Sequence, residues 1–284
     1  MPAATRREFL KIGPIGAIGA FGARSDYKAL VCLFLRGGMD GSNMVIPLRT
    51  PAQNYRTYQQ VRHGLALPHR SLLPVIAKNG DIYGLHSRLG ALQNLFREGK
   101  LAILANVGTA VGVDLFSHGV QTEQWRRILP QAVEHELATV PHTIRRNMKL
   151  GQRRQVYVCT LGGFDTHGAQ LRVQDNLLTA VGNVIGAFYS ATVELGIARN
   201  VTLFTASEFG RRLIPNSTEG SDHGWGNHHF IVGVAVNGGD VYGEFPNLLA
   251  HRHGIMIPTT SLDGYGATLA NWVGGIGKSN LGFL

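Results

Sequence analysis

The chain has 284 residues, of which 37 are Gly, with 44% hydrophobic and 16% charged residues and a formal charge of +9. This is the composition of a globular chain rich in turns, and it excludes a disordered one. The lack of a fixed internal period excludes collagen, coiled coil and solenoid repeats, and two cysteines exclude a disulfide scaffold. The positive balance favours anionic partners such as phosphate or sulfate esters or an acidic surface. The densest basic stretch (Arg145, Arg146, Lys149, Arg153, Arg154) reads as a solvated helix end and loop. Neither zinc-finger spacing nor an RNA-binding aromatic motif accompanies it, so no nucleic-acid partner is expected.

The N-terminus reads Thr5-Arg6-Arg7-Glu8-Phe9-Leu10-Lys11, followed by a Gly- and Ala-rich, weakly apolar run from Ile12 to Ala23. Paired arginines before such a run read as a twin-arginine export signal. Residues 1–23 are therefore taken as the signal and 24–284 as a single α/β domain. The expected partner is the twin-arginine export machinery, and the expected location is periplasmic or otherwise exported. Beyond the signal, no apolar run reaches the ~20 residues that span a bilayer, so no transmembrane helix is expected in the mature part.

ALVCLFL at 29–35 is a continuous apolar run, as a strand buried on both faces requires. The loop Arg36-Gly37-Gly38-Met39-Asp40-Gly41-Ser42-Asn43 follows. Leu89, Leu92, Leu95 and Phe96 give helical spacing over 88–99. LAILANV at 101–107 predicts a second strand, and a loop then leads to Ser117-His118 and a short helix through Trp125. A weak pattern predicts a further helix over 132–150. QVYVCTL at 155–161 is the third strand, ending in Gly162-Gly163-Phe164-Asp165-Thr166-His167. Leu178, Val181, Ile185, Phe188 and Leu195 line one face of a long helix. Residues 201–207 form the fourth strand and 230–236 the fifth, and a short helix lies near Tyr265–Val273. Strands alternating with helices predict an α/β fold with a mainly parallel central sheet flanked by helices. Cys32 and Cys159 fall inside predicted core strands and read as buried free thiols.

Asp40, Asp165 with His167, Glu208, and Asp222 with His223 all lie just beyond predicted strands. In an open α/β sheet such loops converge at the carboxyl edge. Carboxylates and imidazoles gathered there are ligand types for Zn²⁺, Mn²⁺, Mg²⁺ or Ca²⁺, and acids crowding one edge repel one another unless a cation neutralises them. Each residue also has a local alternative. Asp40 suits an Asx turn, Asp165 a helix cap, and Glu208 a pair with Arg211 or Arg212. His228 or His229 is a further candidate ligand.

The ordered motifs LRGGMDGSN, FSHGVQTEQW, LGGFDTHGAQ, SEFGRR and GSDHGWGNHHFIVGVAVNGG, behind a twin-arginine signal, resemble the exported bacterial domain-of-unknown-function family 1501. That family is placed with the alkaline phosphatase and sulfatase superfamily. The resemblance implies two divalent metals at the carboxyl edge, one on Asp40, Asp222 and His223, the other on Asp165, His167 and His228 or His229. Glu208, His118 and His229 are then ligands or groups that orient a ligand. The stretch between Trp125 and Gln155 is abbreviated relative to the family. The superfamily places a Ser, Thr or modified Cys at a helix N-terminus beside the metals, where helix dipole and cation favour its ionised form. Ser117 fits that place by topology as well as it fits an ordinary N-cap, and Thr109 and Ser42 are rivals. The function so implied is metal-dependent hydrolysis of an anionic phosphate or sulfate ester. The alternative is a non-catalytic exported protein that keeps the fold for binding or envelope assembly.

Overall fold

The computed structural model describes residues 27–110, 114–129 and 132–274. The signal segment lies outside them. In chain order the strands and helices are β1 (Lys28–Leu35), β2 (Val45–Arg49), α1 (Tyr55–Arg62), β3 (Leu73–Ile76), β4 (Ile82–Leu85), α2 (Gly90–Arg97), β5 (Leu101–Gly108), α3 (His118–Ile128), β6 (Val133–Glu134), α4 (Val140–Lys149), β7 (Arg154–Leu161), α5 (Gln170–Glu194), β8 (Val201–Ala206), β9 (Asn227–Val232), β10 (Asp240–Tyr242), β11 (Thr260–Ser261) and α6 (Leu262–Val273).

The main sheet runs β10-β5-β9-β8-β1-β7-β6, with β11 also paired to β5. The predicted apolar strands β1, β5, β7 and β8 share this sheet and one direction. β1 pairs in parallel with both β7 and β8. Among the described strands of this sheet, β9 runs against its neighbours, antiparallel to β5 and β8. The fold is thus α/β with a mostly parallel central sheet. Alternate residues of β1 point to opposite faces, as strand geometry demands. Ala29, Val31, Leu33 and Leu35 pack with Leu92, Phe96, Ile144, Leu178 and Ile185, which belong to α2, α4 and α5. Leu30, Cys32 and Phe34 pack with Trp125, Ile128, Leu269 and Trp272 of α3 and α6. Cys32 and Cys159 are free, buried and on opposite faces of the sheet.

Three expectations change. The helix expected over 132–150 is the edge strand β6 followed by α4. The strand expected over 230–236 starts and ends earlier, and after Val232 the chain turns, the Val236 N–H meeting the Gly233 carbonyl at 3.2 Å. A small antiparallel sheet, β2-β4-β3, occupies a stretch with no predicted strand. Its strands are four or five residues long and two contain proline (VIPLR, LPVI), which blurs their apolar pattern. In addition, α5 with 25 residues is long and apolar enough, by length and composition, to cross a membrane. In this fold its stripe of Leu178, Val181, Ile185 and Phe188 packs into the core.

Candidate metal centre

Because β1, β5, β7 and β8 are parallel, the segments after them emerge at one edge. β9 runs the other way, so the connection from β8 returns to β9 along that same edge and carries Asp222 and His223 there. Backbone hydrogen bonds stitch these segments together. The N–H of Ala169 meets the Thr218 carbonyl at 3.2 Å, that of Gln170 the Glu219 carbonyl at 2.9 Å, and that of Arg212 the Asp222 carbonyl at 2.9 Å. Gly37, at φ +123°, lies so close to Asp165 that a Cβ would stand 2.3 Å from its backbone nitrogen. Only glycine fits both that conformation and that approach. The Gly37 and Gly38 N–H groups in turn donate to Glu208 at 2.9–3.1 Å.

Asp165 stands at the centre. Its Oδ1 accepts from Arg211 Nη1 at 2.8 Å and faces His223 Nε2 and His167 Nε2, each at 3.0 Å. Its Oδ2 faces His118 Nε2 at 3.6 Å. Each imidazole is held from behind through Nδ1. His223 Nδ1 donates to the Phe116 carbonyl at 2.8 Å, His167 Nδ1 to Asp222 Oδ1 at 3.3 Å and His118 Nδ1 to Glu208 Oε1 at 3.2 Å. These acceptors place a hydrogen on each Nδ1, and all three Nε2 atoms face one carboxylate. His167 and His223 bring their Nε2 atoms within 3.1 Å of each other. Nitrogens brought this close around one carboxylate call for positive charge among them, which a proton or a metal ion supplies. A metal-bound histidine likewise donates its other ring N–H to a carboxylate or carbonyl. Ligand atoms of His118, Asp165 and His223 all lie within 4.8 Å of one another, a group that can hold a metal ion.

The electrostatics agree. Partial burial works against the Asp165 charge, but hydrogen bonds from Arg211 and His223 and the nearby Arg211 and His167 outweigh it and hold the carboxyl at about 2. Asp222 is also held below the usual carboxylate range: burial opposes its charge, while Asn216, His167 and Arg212 favour it.

The other candidates sit elsewhere. Asp40 is wholly buried and paired with Arg62. Ser117 caps α3, its Oγ accepting from the Val120 N–H at 3.3 Å. Among the described residues no hydrogen bond joins Ser117 to the cluster. His228 is stacked on Phe245 at 4.7 Å and accepts the Asn106 N–H through Nδ1 at 3.1 Å. His229 lies against Trp125 and Tyr265. It lines a cavity of about 10 Å³ that Glu208, Ser207 and Thr109 also line, near the threshold for one water. Arg211 and Arg62, both buried, belong to this edge as the cations of Asp165 and Asp40. The sequence offers Arg211 only as a partner for Glu208, and Arg62 carries no signal of its role there.

Burial pushes the imidazoles of His228 and His229 down to about 3, with His228 adding to the effect on His229. Both stay neutral in the folded chain where an unfolded imidazole, at 6.5, takes a proton. The stability gained by keeping them neutral is complete above about 6.5 and is lost as pH falls from there through about 3. The loss reaches roughly 1 kcal/mol per pH unit for each histidine. Urea unfolding at successive pH values is expected to show a steeper acid loss for the parent than for a His228→Phe/His229→Phe variant. Equal slopes would remove the attribution.

Residues 129–254 match the family described as "Protein of unknown function (DUF1501)". The matched stretch carries three of the motifs, LGGFDTHGAQ, SEFGRR and GSDHGWGNHHFIVGVAVNGG, and with them Asp165, His167, Glu208, Asp222 and His223. LRGGMDGSN and FSHGVQTEQW, which supply Asp40 and His118, precede it. No curated protein matches the chain. Among solved structures, the lipoteichoic acid synthase LtaP from Listeria monocytogenes aligns with 90% of this chain and 78% of its own, at 10% identity and a TM-score of 0.42. The C-terminal periplasmic domain of EcEptC from Escherichia coli, in complex with Zn, aligns over 74% and 73%, at 7% identity and a TM-score of 0.41. Murine ectonucleotide pyrophosphatase/phosphodiesterase 5, an inactive form in complex with AMP, aligns over 65% and 57%, at 10% identity and a TM-score of 0.27. Likeness at this level assigns no chemistry to this chain.

Proposed function

We propose that this protein is an exported, metal-dependent hydrolase of phosphate or sulfate esters, with its centre at His118, Asp165 and His223. The observation that carries the proposal is the set of imidazoles anchored through Nδ1 with their Nε2 atoms turned toward Asp165. Two imidazoles and a carboxylate make a donor set that suits a catalytic Zn²⁺ and also accommodates Mn²⁺. Bound there, a divalent cation supplies Lewis acidity toward an ester oxygen.

The chain's own residues supply the rest. Arg211 fixes the Asp165 carboxylate, and Glu208, itself held by the Gly37 and Gly38 N–H groups, fixes His118. Asp222 orients His167, whose Nε2 then takes the proton of a water attacking phosphorus or sulfur while the ester P–O or S–O bond breaks, and the leaving oxygen takes a proton from solvent. The basic charge of the chain draws an anionic ester to this edge. With the Ser117 hydroxyl engaged in capping α3, water is the nucleophile in this reading.

The test is turnover of aryl phosphate mono- and diesters and aryl sulfates by the ion-loaded protein. Turnover is expected, lost with chelator and restored by Zn²⁺ or Mn²⁺. The capped Ser117 also favours a second reading, in which the fold binds an anionic ligand without turning it over. Ion uptake with no turnover of any ester would decide for that reading and against hydrolysis.

Export rests on Arg6 and Arg7 ahead of the apolar run. The Arg6→Lys/Arg7→Lys variant is expected to remain in the cytoplasm while the parent is carried out, as followed by cell fractionation. Equal export of the two would remove the twin-arginine machinery as its partner.

A further inference from the structure

We infer that this chain holds one divalent ion where the family resemblance implies two, and that the buried guanidinium of Arg62 stands at Asp40 in place of the other. The inference rests on the metal reading above.

The resemblance assigns Asp40, Asp222 and His223 to a single ion, and the structure separates them. His223 turns Nε2 to Asp165 and Nδ1 to the Phe116 carbonyl. Asp222 Oδ1 is engaged by His167 at 3.3 Å and Asn216 at 3.4 Å. Asp40 has no exposed surface. Its Oδ1 accepts the Ser42 N–H at 3.1 Å, and its Oδ2 accepts from Gln170 Nε2 at 2.5 Å and from Arg62 Nη2. Arg62 is equally buried and is held on its other sides as well. Its Nε donates to Asn43 Oδ1 at 3.2 Å, and its Nη1 to the carbonyls of Arg212 and Leu213 at 3.1 and 3.0 Å. A guanidinium fixed by acceptors on three sides has nowhere to retreat, and it does not lose its proton. A dication at Asp40 Oδ2 would sit against that permanent positive charge in a medium of low dielectric constant. Of the ligands implied for the second ion, Asp165 and His167 stand at this one centre, 3.0 Å apart, whereas His228 and His229 lie in the core. Among the described residues the ligand atoms that converge, those of His118, His167 and His223, do so on the single carboxylate of Asp165.

Asp40 is therefore a structural residue, outside the ion's ligands. Gln170 links its carboxylate to Ser221, whose Oγ donates to Gln170 Oε1 at 2.6 Å. The pair thus ties the segment after β1 to the start of α5 and to the residue before Asp222.

The full chain, stripped with chelator, reloaded with Mn²⁺ and dialysed, is to be measured for metal per chain and by electron paramagnetic resonance. One ion per chain is expected, with the hyperfine pattern of isolated Mn²⁺. An Asp40→Asn/Arg62→Gln variant leaves neither charge stranded, and it is expected to keep one ion with affinity within about twofold of the parent. Two ions per chain, an exchange-coupled spectrum, or loss of the ion from the folded double variant overturns the inference while leaving a metal site. An absence of ion in the parent overturns the metal reading itself, a distinct result. Should the double variant not fold, the stoichiometry and spectrum of the parent decide.

Discussion

Asp165→Ala is expected to lower the affinity for Zn²⁺ or Mn²⁺ by at least ~100-fold, and His223→Ala by a similar factor. Even a residue that only orients a ligand is worth 10–100-fold, so a direct ligand should cost no less. Asp165 faces all three Nε2 atoms of the cluster. Its removal deletes the only carboxylate among the three convergent ligands and leaves Arg211 without its carboxylate partner. Titration calorimetry on chelator-treated protein measures the effect directly. Glu208→Gln turns one acceptor oxygen into an NH2 group facing the Gly37 and Gly38 N–H groups or His118, and it should fall between parent and Asp165→Ala, because it reaches the ion only through the hold on His118. If Asp165→Ala and His223→Ala both bind the ion as the parent does, the centre lies elsewhere.

Arg62→Ala is expected to destabilise the fold by about 3–5 kcal/mol, the usual cost of removing one partner from a buried ion pair. Such a loss is a large fraction of the stability of an ordinary domain. Arg62 and Asp40 have no exposed side-chain surface. The substitution leaves the Asp40 carboxylate without its cation, and the Arg212 and Leu213 carbonyls without the N–H groups they accept. Replacing both members of the pair, as in Arg62→Met/Asp40→Leu, should cost less than either single change, since no buried charge is then unmatched. Equilibrium urea unfolding at neutral pH provides the comparison. A change below ~1 kcal/mol for Arg62→Ala would mean that water reaches Asp40 and that the pair behaves as an exposed one.

The sequence by itself determined the layers of this protein. Apolar runs mark β1 and β5 because a strand covered on both faces has no polar side to show, and shorter apolar stretches mark β7 and β8. The spacing of Leu178, Val181, Ile185 and Phe188 marks α5 because one helical stripe must face the core. Acids and histidines just beyond those strands could be read as one edge, since parallel strands end together. The direction of β9 lay beyond that reading: an apolar run buries the same surface whichever way it travels, and only its neighbours β5 and β8 decide. The partner of Asp40 was equally hidden. A buried carboxylate takes whichever cation the packing brings to it, and here a helix 22 residues on supplies Arg62. His228 and His229 look alike in the sequence to the histidines of the cluster. Consecutive residues of a strand point to opposite faces, and both faces of β9 are buried, so tertiary packing placed them in the core and left His118, Asp165 and His223 to converge at the edge.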